Sequence, residues 1–152
     1  DSFGAVDVHG KIIGMGGTND NEQKIMDGWS DVTMCGNERC IRVALLADGT
    51  AVSTGVCGYC KAGNLWGWSD LVAICAADHT TIGLKADGTI LRSGYGDGNQ
   101  LDVKYWKDIV AVSTSGTHTV GLKSDGTLAY SFTREDPEAR NFCVLESSCA
   151  SC

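Results

Sequence analysis

Apolar and polar positions fall into short runs that recur along the chain at a nearly fixed interval. The run "DIVAVSTS" (108–115) is brief and β-branched, as a buried strand would be. After it, "HTVGLK" (118–123) and "TLAYSF" (127–132) flank a polar "SDG". Two apolar runs joined by Asp-Gly predict a hairpin, because Asp-Gly readily takes up the positive backbone angles of tight turns. The glycine-rich segment "SGYGDGNQLDVKY" (93–105) reads as a connecting loop. No stretch shows sustained helical periodicity, so the fold class expected is all-β.

The same arrangement is spelled out again upstream. Asp48-Gly49, Asp87-Gly88 and Asp125-Gly126 are spaced by 39 and then 38 residues. Trp29, Trp68 and Trp106 keep that beat, and one period before Gly49 stands Gly10, preceded by His9. Four units follow: residues 1–28 together with 144–152, then 29–67, 68–105 and 106–143. The chain begins within a unit, without the tryptophan-bearing strand. One period beyond Trp106, "VLESSCAS" (144–151) stands where "WKDIVAVS" would, with Ser147 and Ser148 in place of Ile109 and Val110. A period near 40 with three or four strands per unit predicts small sheets stacked in an array. The expectation is a small β-propeller of about four blades, one of them shared between the chain's two ends.

The cadence Trp-x-Asp-(Ile/Leu)-Val-Ala, followed by "HTTIGLKADGT" (79–89) or "HTVGLKSDGT" (118–127), resembles the regulator-of-chromosome-condensation repeat, closest to its short bacterial variety. The resemblance is strong over 66–132, good over 27–55 and weak at the termini. It implies a β-propeller, typically seven-bladed in that family, that works as a binding scaffold. Family roles include nucleotide exchange on a small GTPase, chromatin contact and inhibition of secreted β-lactamases. Four units fall short of a seven-bladed ring, which leaves a four-bladed ring, an open fragment or a piece that assembles between chains.

Charge narrows the partners. A formal net charge of −7 argues against nucleic acid and against an anionic membrane surface, since both need a lysine and arginine excess. The longest apolar run, "LVAICAA" (71–77), is strand-sized, so no membrane insertion is expected. Twenty glycines and one proline suit a chain of tight turns. The chain starts at Asp1 with neither methionine nor an apolar leader, as a processed form, an excised form or the ordered part of something longer would. Eight cysteines favour an oxidising compartment, hence a secreted or surface-exposed protein.

The candidate chemistry is sparse. His79 and His118 read as equivalent residues opening the hairpin strand, with Cys40 in that place in the unit 29–50; a residue repeated once per blade is structural. His9 reads as an exposed turn residue. Cys35, Cys40, Cys57, Cys60, Cys75, Cys143, Cys149 and Cys152 are disulfide candidates, each crosslink adding a few kcal/mol to small sheets. "CGYC" (57–60) and "CASC" (149–152) could instead form a tetrathiolate zinc site, but they stand about 90 residues apart in the chain. Thiol exchange normally needs a helix behind Cys-x-x-Cys, and none is predicted. "GYGDGN" (94–99) lacks the helix and lysine of a phosphate loop. The acidic stretches "TNDNEQ" (18–23) and "GDGNQLD" (96–102) could offer oxygens to calcium but lack calcium-loop spacing. "REDPEAR" (134–140) reads as a charged connection.

Trp29, Trp68 and Trp106, with Gly10, Gly49, Gly88 and Gly126, read as the structural frame. Trp66 lies outside the repeat, and with Tyr59 and Tyr95 it is a candidate anchor for a partner. The function expected is a non-catalytic extracellular scaffold that binds protein, with no cofactor. The alternative is a structural subunit of a disulfide-stabilised homopolymer, completed head to tail by strand exchange; a Cys-x-x-Cys oxidoreductase is the remaining alternative.

Overall fold

Among the described residues four hairpins organise the chain, and each is closed by the same turn. The structure, a computed structural model, describes residues 5–13, 19–37, 41–55, 63–77, 80–94, 103–114 and 118–131. The first sheet pairs β1 (Ala5–Val6) with β2 (Ile12–Ile13). A helix, α1 (Asp20–Asp27), follows. Three three-stranded antiparallel sheets come next: β3 (Val32–Asn37), β4 (Arg42–Leu46) and β5 (Ala51–Ser53); β6 (Leu71–Ala77), β7 (Thr80–Lys85) and β8 (Ile90–Gly94); β9 (Ile109–Thr114), β10 (Thr119–Lys123) and β11 (Leu128–Ser131). Chain order is spatial order within each sheet, and each sheet packs on the next: β1 on β3, β3 and β4 on β6, β6 and β7 on β9.

The turns explain the beat of glycines. Gly49 donates its N–H to the Leu46 carbonyl at 3.0 Å, and Leu46 donates to Thr50 at 2.9 Å; Gly10, Gly88 and Gly126 close their turns in the same way. All four glycines are left-handed, with φ of 74°, 82°, 79° and 86° in chain order. The sequence reading gave Asp-Gly as a pair the positive angles, but only the glycine takes one. The aspartate instead clamps the turn: Asp48 Oδ1 accepts from the Thr50 N–H at 2.9 Å and from Thr50 Oγ1 at 2.6 Å, and the pairs Asp87–Thr89 and Asp125–Thr127 repeat this. In the first hairpin Asp7 Oδ1 accepts from the N–H groups of His9 and Lys11.

A second recurrent strain joins one sheet to the next. Asp31, Asp70 and Asp108, each two residues after a repeat tryptophan, are left-handed at φ 56°, 59° and 60°. Aspartate tolerates this region better than most side chains. The bend turns the Asp31 carbonyl to the Ala47 N–H at 2.8 Å within its own sheet, and the Val32 N–H to the Gly10 carbonyl of the preceding hairpin at 2.9 Å. Leu71 donates likewise to Gly49 at 3.0 Å, and Ile109 to Gly88 at 3.2 Å. Each of these three glycine corners therefore holds the entrance of the following sheet.

Between the corners the seams are apolar. Ile41, Val43 and Leu45 of the second sheet meet Leu65, Leu71 and Ile74 of the third, with Trp68 against them. Ile82, Leu84 and Ile90 of the third meet Ile109 of the fourth, together with Val103 and the Trp106 ring. Burying a side chain of this size stabilises by about 1.5–3 kcal/mol, so these seams hold the array together. The Trp68 and Trp106 rings lie directly over Gly83 and Gly121, where a Cβ would stand only 2.9 Å and 2.8 Å from ring carbon. The first strand of each three-stranded sheet also carries a bulge, at Thr33, Val72 and Val110, which leaves Val72 and Val110 more than half exposed.

The helix corrects the reading of "TNDNEQ" as a loop able to offer oxygens to calcium. Asn19 caps α1 by accepting from the N–H groups of Asn21 and Glu22, and Glu22 reaches back to the Asn19 N–H. That reciprocal box occupies the carboxylate and starts the helix, while one apolar side chain, Met26, buries. An eight-residue helix with a single anchor leaves almost no periodicity to read. The expected sharing of a blade between the two chain ends involves residues 144–152, which lie outside the described residues.

Candidate binding surface

The loops that enter the sheets are anchored identically and decorated differently. Three residues before each repeat tryptophan stands a buried apolar side chain: Met26, Leu65 and Val103. Its carbonyl accepts the tryptophan N–H, at 2.9 Å for Trp29, 3.1 Å for Trp68 and 3.0 Å for Trp106. The two residues inside this turn project from the array. They are Asp27-Gly28, Trp66-Gly67 and Lys104-Tyr105.

Trp66 is 93% exposed and Tyr105 72% exposed. Lys104 Nζ sits 4.7 Å from the centre of the Tyr105 ring, an exposed cation–π contact of about 0.5–1 kcal/mol. Gly67 is left-handed at φ 77°, which lets the loop turn immediately after the indole. Such a rim presents flat aromatic area on a fixed backbone, the combination that makes a good anchor. Sequence reasoning singled out Trp66 but passed over Tyr105. The signal was there: the residue before the repeat tryptophan is glycine at 28 and 67 and tyrosine at 105.

The other candidates fall elsewhere. Trp29, Trp68 and Trp106 are half-buried in the frame. His9 is exposed at the first turn. His118 precedes β10, its carbonyl accepting from Thr114 Oγ1 at 3.2 Å. His79 lies outside the described residues, and the two histidines are not in register: His79 stands nine residues before its corner glycine and His118 eight. Tyr59, Tyr95, Cys40, Cys57, Cys60, Cys143, Cys149 and Cys152 also lie outside the described residues.

Cys35 and Cys75, expected among the crosslinks, are free thiols. Each lies within a strand, Cys35 opposite Ala44 and Cys75 opposite Ile82, and is half-buried; Cys75 packs against the seam between the third and fourth sheets. Desolvation raises both thiols, Cys75 to about 11. They are protonated and poor nucleophiles at neutral pH. Among the described residues, no three His, Cys, Asp or Glu side chains converge on a point that could hold a metal ion. No described helix is long and apolar enough to cross a membrane.

No family model matches the chain, and no curated protein matches it at the level of sequence. Solved structures do. The chain superimposes on Prp20p from Saccharomyces cerevisiae, a structure described with that protein's binding to Gsp1p and histones. The TM-score is 0.60 at 16% identity, over 86% of this chain and 43% of that one. It also matches yeast RCC1 (Prp20) in complex with Kap60, with TM-score 0.53 at 14% identity, over 68% of this chain and 30% of that one. The chain thus spans less than half the length of either. The fold is a regulator-of-chromosome-condensation-type repeat propeller fold, all-β and built of small stacked sheets.

Proposed function

We propose that this chain is a non-catalytic, secreted repeat scaffold that binds a protein partner through the loops entering its blades, with Trp66 as principal anchor and Tyr105 beside it in the next unit. One observation carries the reading: a fully projecting indole stands on a loop whose backbone is pinned by the buried Leu65 and by the Trp68 N–H. A fold that needed only to stack would leave that position polar, as the equivalent Asp27 and Lys104 do. Structural neighbours bind proteins, Kap60 in one case and Gsp1p and histones in the other, which supports the class of partner. The acidic balance supports a protein rather than nucleic acid as that partner.

The test is site-directed. A photo-reactive residue placed at the exposed Asn64, two positions before the indole, captures the partner from secreted material, and the isolated partner is then titrated. Trp66→Ala weakens that complex at least about tenfold, a hot-spot effect, with the melting temperature unchanged. Affinity equal to the parent's would remove the loop surface from consideration.

A further inference from the structure

The corner at Gly126 has the chemistry of the three filled corners and, among the described residues, nothing in it. At Gly10 an added Cβ would meet Asp31 Cα at 2.8 Å, and at Gly88 it would meet Asp108 Cα at 3.1 Å; at Gly126 no described residue lies within 4 Å. The adjoining face, among the described residues, is covered by no following sheet. Val43 and Leu45 in the second sheet, and Ile82 and Leu84 in the third, are at most 4% exposed beneath the sheet that follows. Their counterparts in the fourth sheet are Val120, half-buried, and Leu122, 37% exposed.

The filled corners state what fits. Each accepts a strand entrance with the order Trp-x-Asp-apolar, the aspartate left-handed and standing 20 or 21 residues beyond the glycine. At that distance from Gly126 the chain reads Val144-Leu145-Glu146-Ser147, with valine in the tryptophan's place, glutamate in the aspartate's and serine in the apolar residue's. A second copy offers the full set at Trp29-Ser30-Asp31-Val32. Within a copy that entrance is held by the thinnest sheet, whose strands are two residues each. An open cleft of about 510 Å³ remains there between the turn at Val8–Gly10 and Asp31–Thr33, and Val8 is 95% exposed. Neither buried cluster includes a residue of that first hairpin.

We infer that the fourth sheet docks on the second sheet of another copy of this chain, in the place its first hairpin holds. The Val32 N–H of the second copy donates to the Gly126 carbonyl, and Val120 and Leu122 are covered as Ile82 and Leu84 are. A two-stranded hairpin gives way to a complete three-stranded blade. The contact is head to tail, so copies add in one direction, into a ring or an open array. This goes beyond the loop surface proposed above and does not depend on it.

Sedimentation velocity from low micromolar to submillimolar chain, under reducing conditions, reads the assembly apart from any crosslinking by Cys143, Cys149 or Cys152. The parent chain should shift from monomer to larger species as concentration rises. Gly126→Asn retains a residue that accepts the left-handed region but places a side chain in the corner. It should move the midpoint at least about tenfold to higher concentration, while lowering the melting temperature in dilute solution no more than Gly67→Asn does at another left-handed glycine with open space around it. Leu122→Asp should do the same, and Trp66→Ala should leave the midpoint where it is. A parent that stays monomeric throughout overturns the inference, as does a Gly126→Asn chain that assembles like the parent. So does a dilute Gly126→Asn chain that melts earlier than the Gly67→Asn chain, since a segment of the same chain would then be filling the corner.

Discussion

The seam between the third and fourth sheets and the far face of the fourth, which no described sheet covers, are written in nearly the same residues. Ile82, Gly83, Leu84 and Gly88 answer to Val120, Gly121, Leu122 and Gly126, in the same strand register and with the same tryptophan laid over the inner glycine. Leu84 is 1% exposed and Leu122 37%. The difference follows whether a described sheet packs against the residue. A blade in this fold is half of a core, and what its apolar residues contribute depends on whether the next blade is present.

That comparison can be broken at its centre first. Leu84→Ala should cost about 2–5 kcal/mol, because the cavity lies in a seam with little room to collapse. Leu122→Ala, measured by denaturant unfolding of the dilute chain, should cost less than about 1 kcal/mol. Equal costs would show the two faces to be equally covered. The glycine corners sharpen it next. Alanine at either Gly88 or Gly126 is strained by about 1–2 kcal/mol through its left-handed backbone. At Gly88 the new Cβ also meets Asp108 backbone at 3.1 Å, so Gly88→Ala should be the more destabilising of the two by thermal melting. A reversed order would mean that the following sheet does not seat at the corner.

The smallest effect is one the compared regions share. Asp87 and Asp125 are both held below the ordinary carboxylate value of 3.8, first by the hydroxyl of the threonine two residues on and then by its N–H, and Asp48 is held in the same way. A lowered native value means that the unfolded chain takes up protons first as acid is added. The stability these aspartates contribute is present above pH 3.8 and drains away as the pH falls through their native values. Asp87→Asn and Asp125→Asn should therefore flatten the acid limb of a stability–pH curve by similar small amounts. All of these carboxylates are on the surface, so salt also shrinks the effect. An acid limb left unchanged in both variants would show that the clamp does not operate.

Much of the frame was legible because it is local. The Asp-Gly beat and the apolar runs on either side specify hairpins without reference to anything distant. What escaped was of two kinds. The helix at Asp20–Asp27 rests on a capping box and one buried methionine, too short a signal for periodicity to carry. The aspartates after the tryptophans, and the apolar residue three positions before each, were in plain view as repeats. Their purpose is not local: Asp31 bends so that Val32 reaches Gly10, and Met26 fills space beside its own tryptophan loop. The same holds for the rim. Trp66 stood out as a residue foreign to the repeat, while Tyr105 needed the exposure of the loop to be noticed.

By itself the amino-acid order determined the unit length, the hairpins and the residues able to stand left-handed at their corners, since turn chemistry is settled within five or six neighbours. Tertiary structure decided which copies of a repeated residue are covered, that the described thiols Cys35 and Cys75 stay free, and which corner no described residue fills. Those outcomes depend on what packs against a surface, and two identical segments carry no record of their neighbours.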